Sequence, residues 1–144
     1  MKAAATAALR SDFIQTLAAM LEPMAKILVV EDDDSVRSLA ARALERLGHT
    51  IDLAEDGSAG LSRIIEVNAD YDLVLSDIRM PEMDGIEMAR SAAARFPKLK
   101  IMFFTGYADQ RERAEQISGT VVDVMQKPFA LAELRERVER ALTL

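Results

Sequence analysis

Three short, unbroken apolar runs constrain this chain more than any other feature: "ILVV" at 27–30, "LVL" within "DLVLS" at 72–76, and "IMFF" at 101–104. Runs without a polar interruption suit strands covered on both faces, and such strands belong to parallel sheets whose crossovers are helices. Two further runs, "TIDLA" at 50–54 and "VVDVM" at 121–125, each carry an aspartate in mid-strand and so read as sheet edges. Between the runs lie helical faces. Val36, Leu39, Ala40, Ala43, Leu44 and Leu47 mark one; Leu61, Ile64 and Ile65 a second; Leu131, Leu134, Val138, Ala141 and Leu142 the last. Asp33 or Asp34 caps the first helix and Gly48 ends it, while Asp84 with Glu87 three positions on resembles a capping box. A fourth helix is expected near 109–118, where charges outnumber apolar anchors. With the second and fifth strands outside, the expectation is an α/β fold. It is a flavodoxin-like, doubly wound, five-stranded parallel sheet of order 2-1-3-4-5, with helices on both faces.

That strand order has a functional consequence, because ligands of doubly wound sheets bind beyond the carboxyl ends of the strands at the switch point. There the first strand ends in "EDDD" (Glu31 to Asp34) and the third in Ser76-Asp77, inside "LVLSDIRMPEMDG". The fourth ends in Thr105-Gly106 and the fifth in Lys127-Pro128. Glu31, Asp32 and Asp77 cannot sit together fully ionised without a compensating cation. An oxygen-only cluster suits a hard divalent ion, Mg²⁺ in particular. Lys127 would supply the remaining positive charge, Thr105 a hydrogen bond, and Asp77 the nucleophile of an aspartyl phosphate.

Composition narrows the classes of function. At 144 residues with half of them hydrophobic, the chain supports one well-buried core rather than two ordinary domains. A net charge of −6, without a basic run, argues against a nucleic-acid surface. The absence of cysteine excludes disulfides, thiolate nucleophiles and Cys-ligated zinc. No apolar run approaches the roughly 20 residues of a membrane helix, and a cytoplasmic protein is expected. Residues 1–24 stand apart: they are alanine-rich, with Leu9, Phe13, Leu17 and Leu21 at helical spacing before Pro23. They read as an extension, helical or not native to the chain, with the main domain over 25–144.

Each motif alone has a plainer reading. A run of acids at a helix start is ordinarily capping, "MPEMDG" a turn, and a lysine before proline a loop residue. The single histidine, His49, reads as a partly buried structural group, and the methionines as packing material. Convergence on one sheet edge lifts the acids and Lys127 above these readings.

Taken together, "ILVVEDD", "SDIRMPEMDG", "FFTG" and "KPF" resemble, in order and spacing, the receiver domains of two-component response regulators (the CheY-like family) across about 25–142. The resemblance implies that Asp77 is phosphorylated by a histidine kinase or histidine phosphotransferase. It places Glu31, Asp32, Asp77 and the backbone carbonyl of Arg79 around Mg²⁺. It also assigns Thr105 and Lys127 to phosphoryl sensing and implies a cis peptide before Pro128. Within the family, "EDDDSVRSLAARALERLGH" and the segment from Asp77 to Asp109 look most like CpdR-type receivers. Those are stand-alone proteins of cell-cycle phosphorelays whose unphosphorylated form assists the ClpXP protease in recruiting substrates, and for this chain a monomer or weak dimer is expected. The last helical pattern reaches Leu142, so no output domain is expected and the signal would be read from the receiver surface.

One departure stands out: the position three before Lys127, often an aromatic in receivers, is Val124, so an aromatic switch is not expected there. Tyr107 and Arg79, two residues after Thr105 and Asp77, are instead expected to set the lifetime of the phosphate. Two other functions compete. A haloacid-dehalogenase-like hydrolase usually carries a second aspartate where this chain has Arg79. A phosphorylation-independent adaptor would keep the fold and use it only for protein contacts.

Overall fold

A computed structural model of the protein describes residues 9–15, 17, 24–117 and 119–144. Five strands alternate with five helices: β1 (Lys26–Val30), α1 (Asp34–Glu45), β2 (Thr50–Ala54), α2 (Gly57–Glu66), β3 (Leu73–Asp77), α3 (Gly85–Arg95), β4 (Ile101–Thr105), α4 (Ala108–Glu115), β5 (Val121–Gln126) and α5 (Leu131–Leu142). All pairings are parallel and the order is β2-β1-β3-β4-β5, as the polar interruptions of the two edge strands predict.

Period-two alternation in the strands builds two cores. Leu28, Val30, Val74, Ile101 and Phe103 face one side, where Ile64 of α2, Ile86 and Met88 of α3 and Ala114 of α4 cover them. Ile27, Val29, Leu73, Leu75, Met102 and Phe104 face the other, under Ala40 and Leu44 of α1 and Leu134 and Val138 of α5. The runs 27–30, 73–75 and 101–104 are thus sealed on both faces, which is why they admit no polar residue before the carboxyl end.

Helix punctuation follows the expected chemistry. Asp33 caps α1 by accepting from the backbone N–H of Ser35 and Val36, Asp56 caps α2 through Ala59, and Asp84 caps α3 through Glu87 at 2.8 Å. Gly48, at φ +92°, closes the turn after α1. The fourth helix starts one residue earlier than expected and stops at Glu115, three short of the expected end, which itself lies outside the described residues. With no side-chain cap and few apolar anchors, it has little to prolong it. His49 is buried as expected: its Nδ1 accepts from the N–H of Ala25 at 3.2 Å and its Nε2 meets Glu139 of α5 at 2.5 Å.

Before the sheet, residues 9–15 and 17 are helical, with Leu9, Phe13, Ile14 and Leu17 exposed. Pro23, expected to end that helix, lies outside the described residues.

Candidate functional site

The carboxyl ends of β1, β3, β4 and β5 meet at one cleft. Asp77 is the last residue of β3 rather than the first beyond it: its backbone still pairs opposite Phe104. The backbone of Glu31 is tied to β2 by its N–H to Ala54 O at 3.1 Å, and to α1 by Arg37 Nη1 donating to its carbonyl at 2.7 Å. The N–H of Lys127 donates to Thr105 O at 2.8 Å, and the Lys127-Pro128 peptide is cis. The turn after Asp77 closes where the Gly85 N–H donates to Ile78 O at 2.7 Å. A Cβ at residue 85 would lie 2.2 Å from the carbonyl oxygen of Asp77, so only glycine lets α3 begin this close to the strand end.

Side chains from three strand ends converge. Lys127 Nζ donates to Glu31 Oε1 at 2.9 Å and to Asp77 Oδ2 at 3.1 Å, while Asp77 Oδ1 accepts from the N–H of Ile78 at 2.8 Å. The ammonium also sits 4.9 Å from the ring centre of Phe104, itself edge-on to Phe129. One oxygen each of Glu31, Asp32 and Asp77 lies within 4.8 Å of the others. Glu31 is 1% exposed, yet its Oε2 has no hydrogen-bond partner.

That orphaned oxygen defines the electrostatics. Burial first, and then the carboxylate of Asp77 close by, push the Glu31 carboxyl up to about 8, against the opposing pull of Lys127. Burial works against the Lys127 ammonium, but its contacts with Glu31 and Asp77 outweigh it and raise its pKa. The cluster therefore carries more acid than Lys127 neutralises. A buried carboxylate oxygen without a donor and two further carboxylates within reach fit a hard divalent cation with oxygen ligands.

Arg79 and Tyr107 form the outer wall of the cleft, with the guanidinium 4.0 Å from the centre of the Tyr107 ring. Thr105 is buried at the inner end, where its Oγ1 accepts from the Tyr107 N–H at 3.2 Å. The structure therefore brings Glu31, Asp32, Asp77, Lys127, Thr105, Arg79 and Tyr107 to one end of the sheet. Asp33 and Asp34 serve α1, Asp33 as its cap and Asp34 in an ion pair with Arg37. Val124 is buried in the core. Sequence reading missed two supports, Arg37 on the Glu31 carbonyl and Phe104 beneath Lys127. Neither has a local signal, since both depend on which strand lies beside which.

The family model described as "Response regulator receiver domain" matches residues 27–139. The chain belongs to the receiver-domain family. Receivers bind Mg²⁺ at an acidic pocket and work with histidine kinases in two-component systems. The response regulator receiver protein CpdR of Brucella abortus is 39% identical over 119 residues, covering 83% of this chain and 98% of CpdR. The sensor kinase CckA of the same organism is 34% identical over 122 residues, 85% of this receiver but 13% of that kinase. Among solved structures, the response regulator TrrA of Thermotoga maritima, in complex with Mg(2+)-BeF, superposes with a TM-score of 0.71 at 32% identity. That match covers 82% of this chain and 99% of TrrA. Among the described residues no helix is long and apolar enough to cross a membrane.

Proposed function

We propose that this receiver is a cytoplasmic phosphorylation switch whose acceptor is Asp77. A carboxylate oxygen of Asp77 attacks the phosphorus of a phosphohistidine on a histidine kinase or histidine phosphotransferase. The new P–O bond forms as the P–N bond breaks, and the histidine nitrogen leaves with the electron pair. The observation that carries this reading is the Lys127 ammonium bridging Glu31 and Asp77 beside the orphaned Glu31 oxygen. Glu31, Asp32, Asp77 and the backbone carbonyl of Arg79 would hold Mg²⁺, which supplies charge neutralisation and alignment for the transferred group. Lys127 offsets the charge that develops on the phosphoryl oxygens. Once phosphorylated, Asp77 no longer offers Lys127 the same carboxylate, and the Thr105 hydroxyl, whose oxygen accepts from the Tyr107 N–H, gains a phosphoryl oxygen to which its own O–H can donate.

The donor approaches beside α1. A groove lined by Val36, Leu39, Pro128 and Phe129 opens next to the Lys127 end of the cleft, and Leu39 is 49% exposed there. That apolar strip suits a kinase or phosphotransferase helix. The output proposed here, by analogy with CpdR-type receivers, is a state-dependent surface that assists the ClpXP protease in recruiting substrates.

Intact mass and amide NMR test the reading, on the protein with Mg²⁺ and acetyl phosphate or beryllofluoride, with Asp77→Asn as control. A labile phosphoryl adduct and amide shifts spreading from Asp77 into β4 and β5, both lost in the control, are the expected result. A folded protein showing neither would leave the phosphorylation-independent adaptor in its place.

A further inference from the structure

Phe104 stands immediately before Thr105 in β4, a strand sealed on both faces, and it is fully buried. Burial there asks only for an apolar group: on the same face β1 and β3 supply Val29 and Leu75. A ring brings what an aliphatic side chain lacks, a π face of negative potential. In this fold that face is turned to a cation, with Lys127 Nζ over the ring at 4.9 Å from its centre. The partner of Phe104 across the β3–β4 ladder is Asp77, so the ring also stands beside the acidic cleft.

Lys127 is tied to this part of β4 at both ends. Its backbone N–H donates to Thr105 O at 2.8 Å, and its ammonium lies over Phe104. The ring in turn is braced by Phe129, two residues beyond the lysine, which meets it edge-on with centres 5.8 Å apart and planes at 76°. The other two contacts of Nζ are the carboxylate oxygens of Glu31 and Asp77. A lysine is a point charge on a flexible four-carbon stem, so hydrogen bonds to two separate side chains hold it only while both keep their places. Phosphorylation changes one of those partners. The ring face is the contact that the reaction does not alter.

We infer that Phe104 is a positioning residue for phosphoryl transfer to Asp77, its ring face holding the Lys127 ammonium at the strand end while the carboxylate that the ammonium bonds becomes an acyl phosphate. The inference rests on Asp77 being the phosphoryl acceptor. Phe104 touches neither the donor nor the phosphoryl group; it acts through Lys127, which keeps its place as its hydrogen bond passes from the Asp77 carboxylate to a phosphoryl oxygen. A residue that only filled the core would serve as well with its π electrons withdrawn.

The test is the rate of phosphorylation of the full chain by acetyl phosphate with Mg²⁺, with Phe104 replaced in turn by mono-, di- and trifluorinated phenylalanine. Fluorination keeps the shape of the ring and drains its π face. The rate constant should fall stepwise along the series, by about tenfold at its end, and Phe104→Leu should show a similar loss. Far-UV circular dichroism confirms folding of each variant. In the unphosphorylated protein, the ε-methylene protons of Lys127 should resonate upfield of those of the other lysines under the ring current, and Phe104→Leu should remove that displacement. A rate that is flat across the fluorinated series, or Lys127 protons without a ring shift, overturns the inference and leaves Asp77 as acceptor. A wild-type protein that takes no phosphoryl group on Asp77 overturns both.

Discussion

Lys127 is the residue on which the acidic cleft turns, because one ammonium serves two carboxylates and no other cation is bonded to either among the described residues. Lys127→Ala should slow phosphorylation of Asp77 about 100-fold, the usual scale for removing one preorganised stabilising group, as measured by adduct formation with acetyl phosphate. Glu31 makes a prediction in pH. Its folded carboxyl holds a proton more tightly than the ordinary value of 4.5, so the stability it contributes is complete below that value and is lost as pH rises through about 8. Metal-free protein should therefore lose on the order of 2 kcal/mol across that window in denaturant titrations, and Glu31→Gln should flatten the decline. Mg²⁺ competes with the same proton, so its affinity should rise over the same window. At the outer wall, the stacked Arg79 and Tyr107 are placed to shield a phosphoryl group on Asp77 from water, a role that alanine variants test. Replacing either by alanine should speed loss of the phosphoryl group by about fivefold, the value of one exposed cation–π contact. Unchanged hydrolysis rates would show that the pair is ornamental to phosphate lifetime.

At the scale of elements, the site is a property of how β3 stops and α3 starts. The strand keeps its ladder pairing through Asp77, and the turn that follows is closed by Gly85 against the Asp77 carbonyl. Gly85→Ala would drive a methyl group into that oxygen and to within 3.0 Å of the Phe103 ring. We expect a loss of about 3 kcal/mol in thermal or chemical unfolding, with the Asp77 loop displaced. By contrast, α4 is held weakly. It has no side-chain cap, and Arg113 reaches Gln110 at 2.6 Å and Asp84 at 3.5 Å. It is also the helix directly connected to Thr105, because the Tyr107 N–H that precedes it is bonded to the Thr105 hydroxyl.

For the whole molecule, the two ends of the sheet differ in chemistry. Polar groups sit at the carboxyl ends, an apolar, cationic cavity lined by Tyr71 and Phe96 among others at the amino ends, and a doubly sealed core separates them. Beryllofluoride with Mg²⁺ should raise the melting temperature of the receiver and leave that of Asp77→Asn unchanged, since binding to the folded state alone stabilises it. Amide shifts should reach β4 and β5 while sparing Tyr71 and Phe96.

The strands, the sheet order and the acidic cluster were legible in the sequence because burial on both faces forbids polar residues until a strand ends. The same rule that makes "ILVV", "LVL" and "IMFF" apolar delivers Glu31, Asp77 and Thr105 at one edge. Local capping chemistry likewise identified Asp33 and Asp84. Tertiary structure alone decided the rest. That Lys127 spans Glu31 and Asp77 and that Arg79 lies over Tyr107 are contacts between residues 28 to 96 positions apart, and the unpartnered oxygen of Glu31 follows from the same packing. Such contacts depend on distances across the sheet, which no periodicity along the chain encodes.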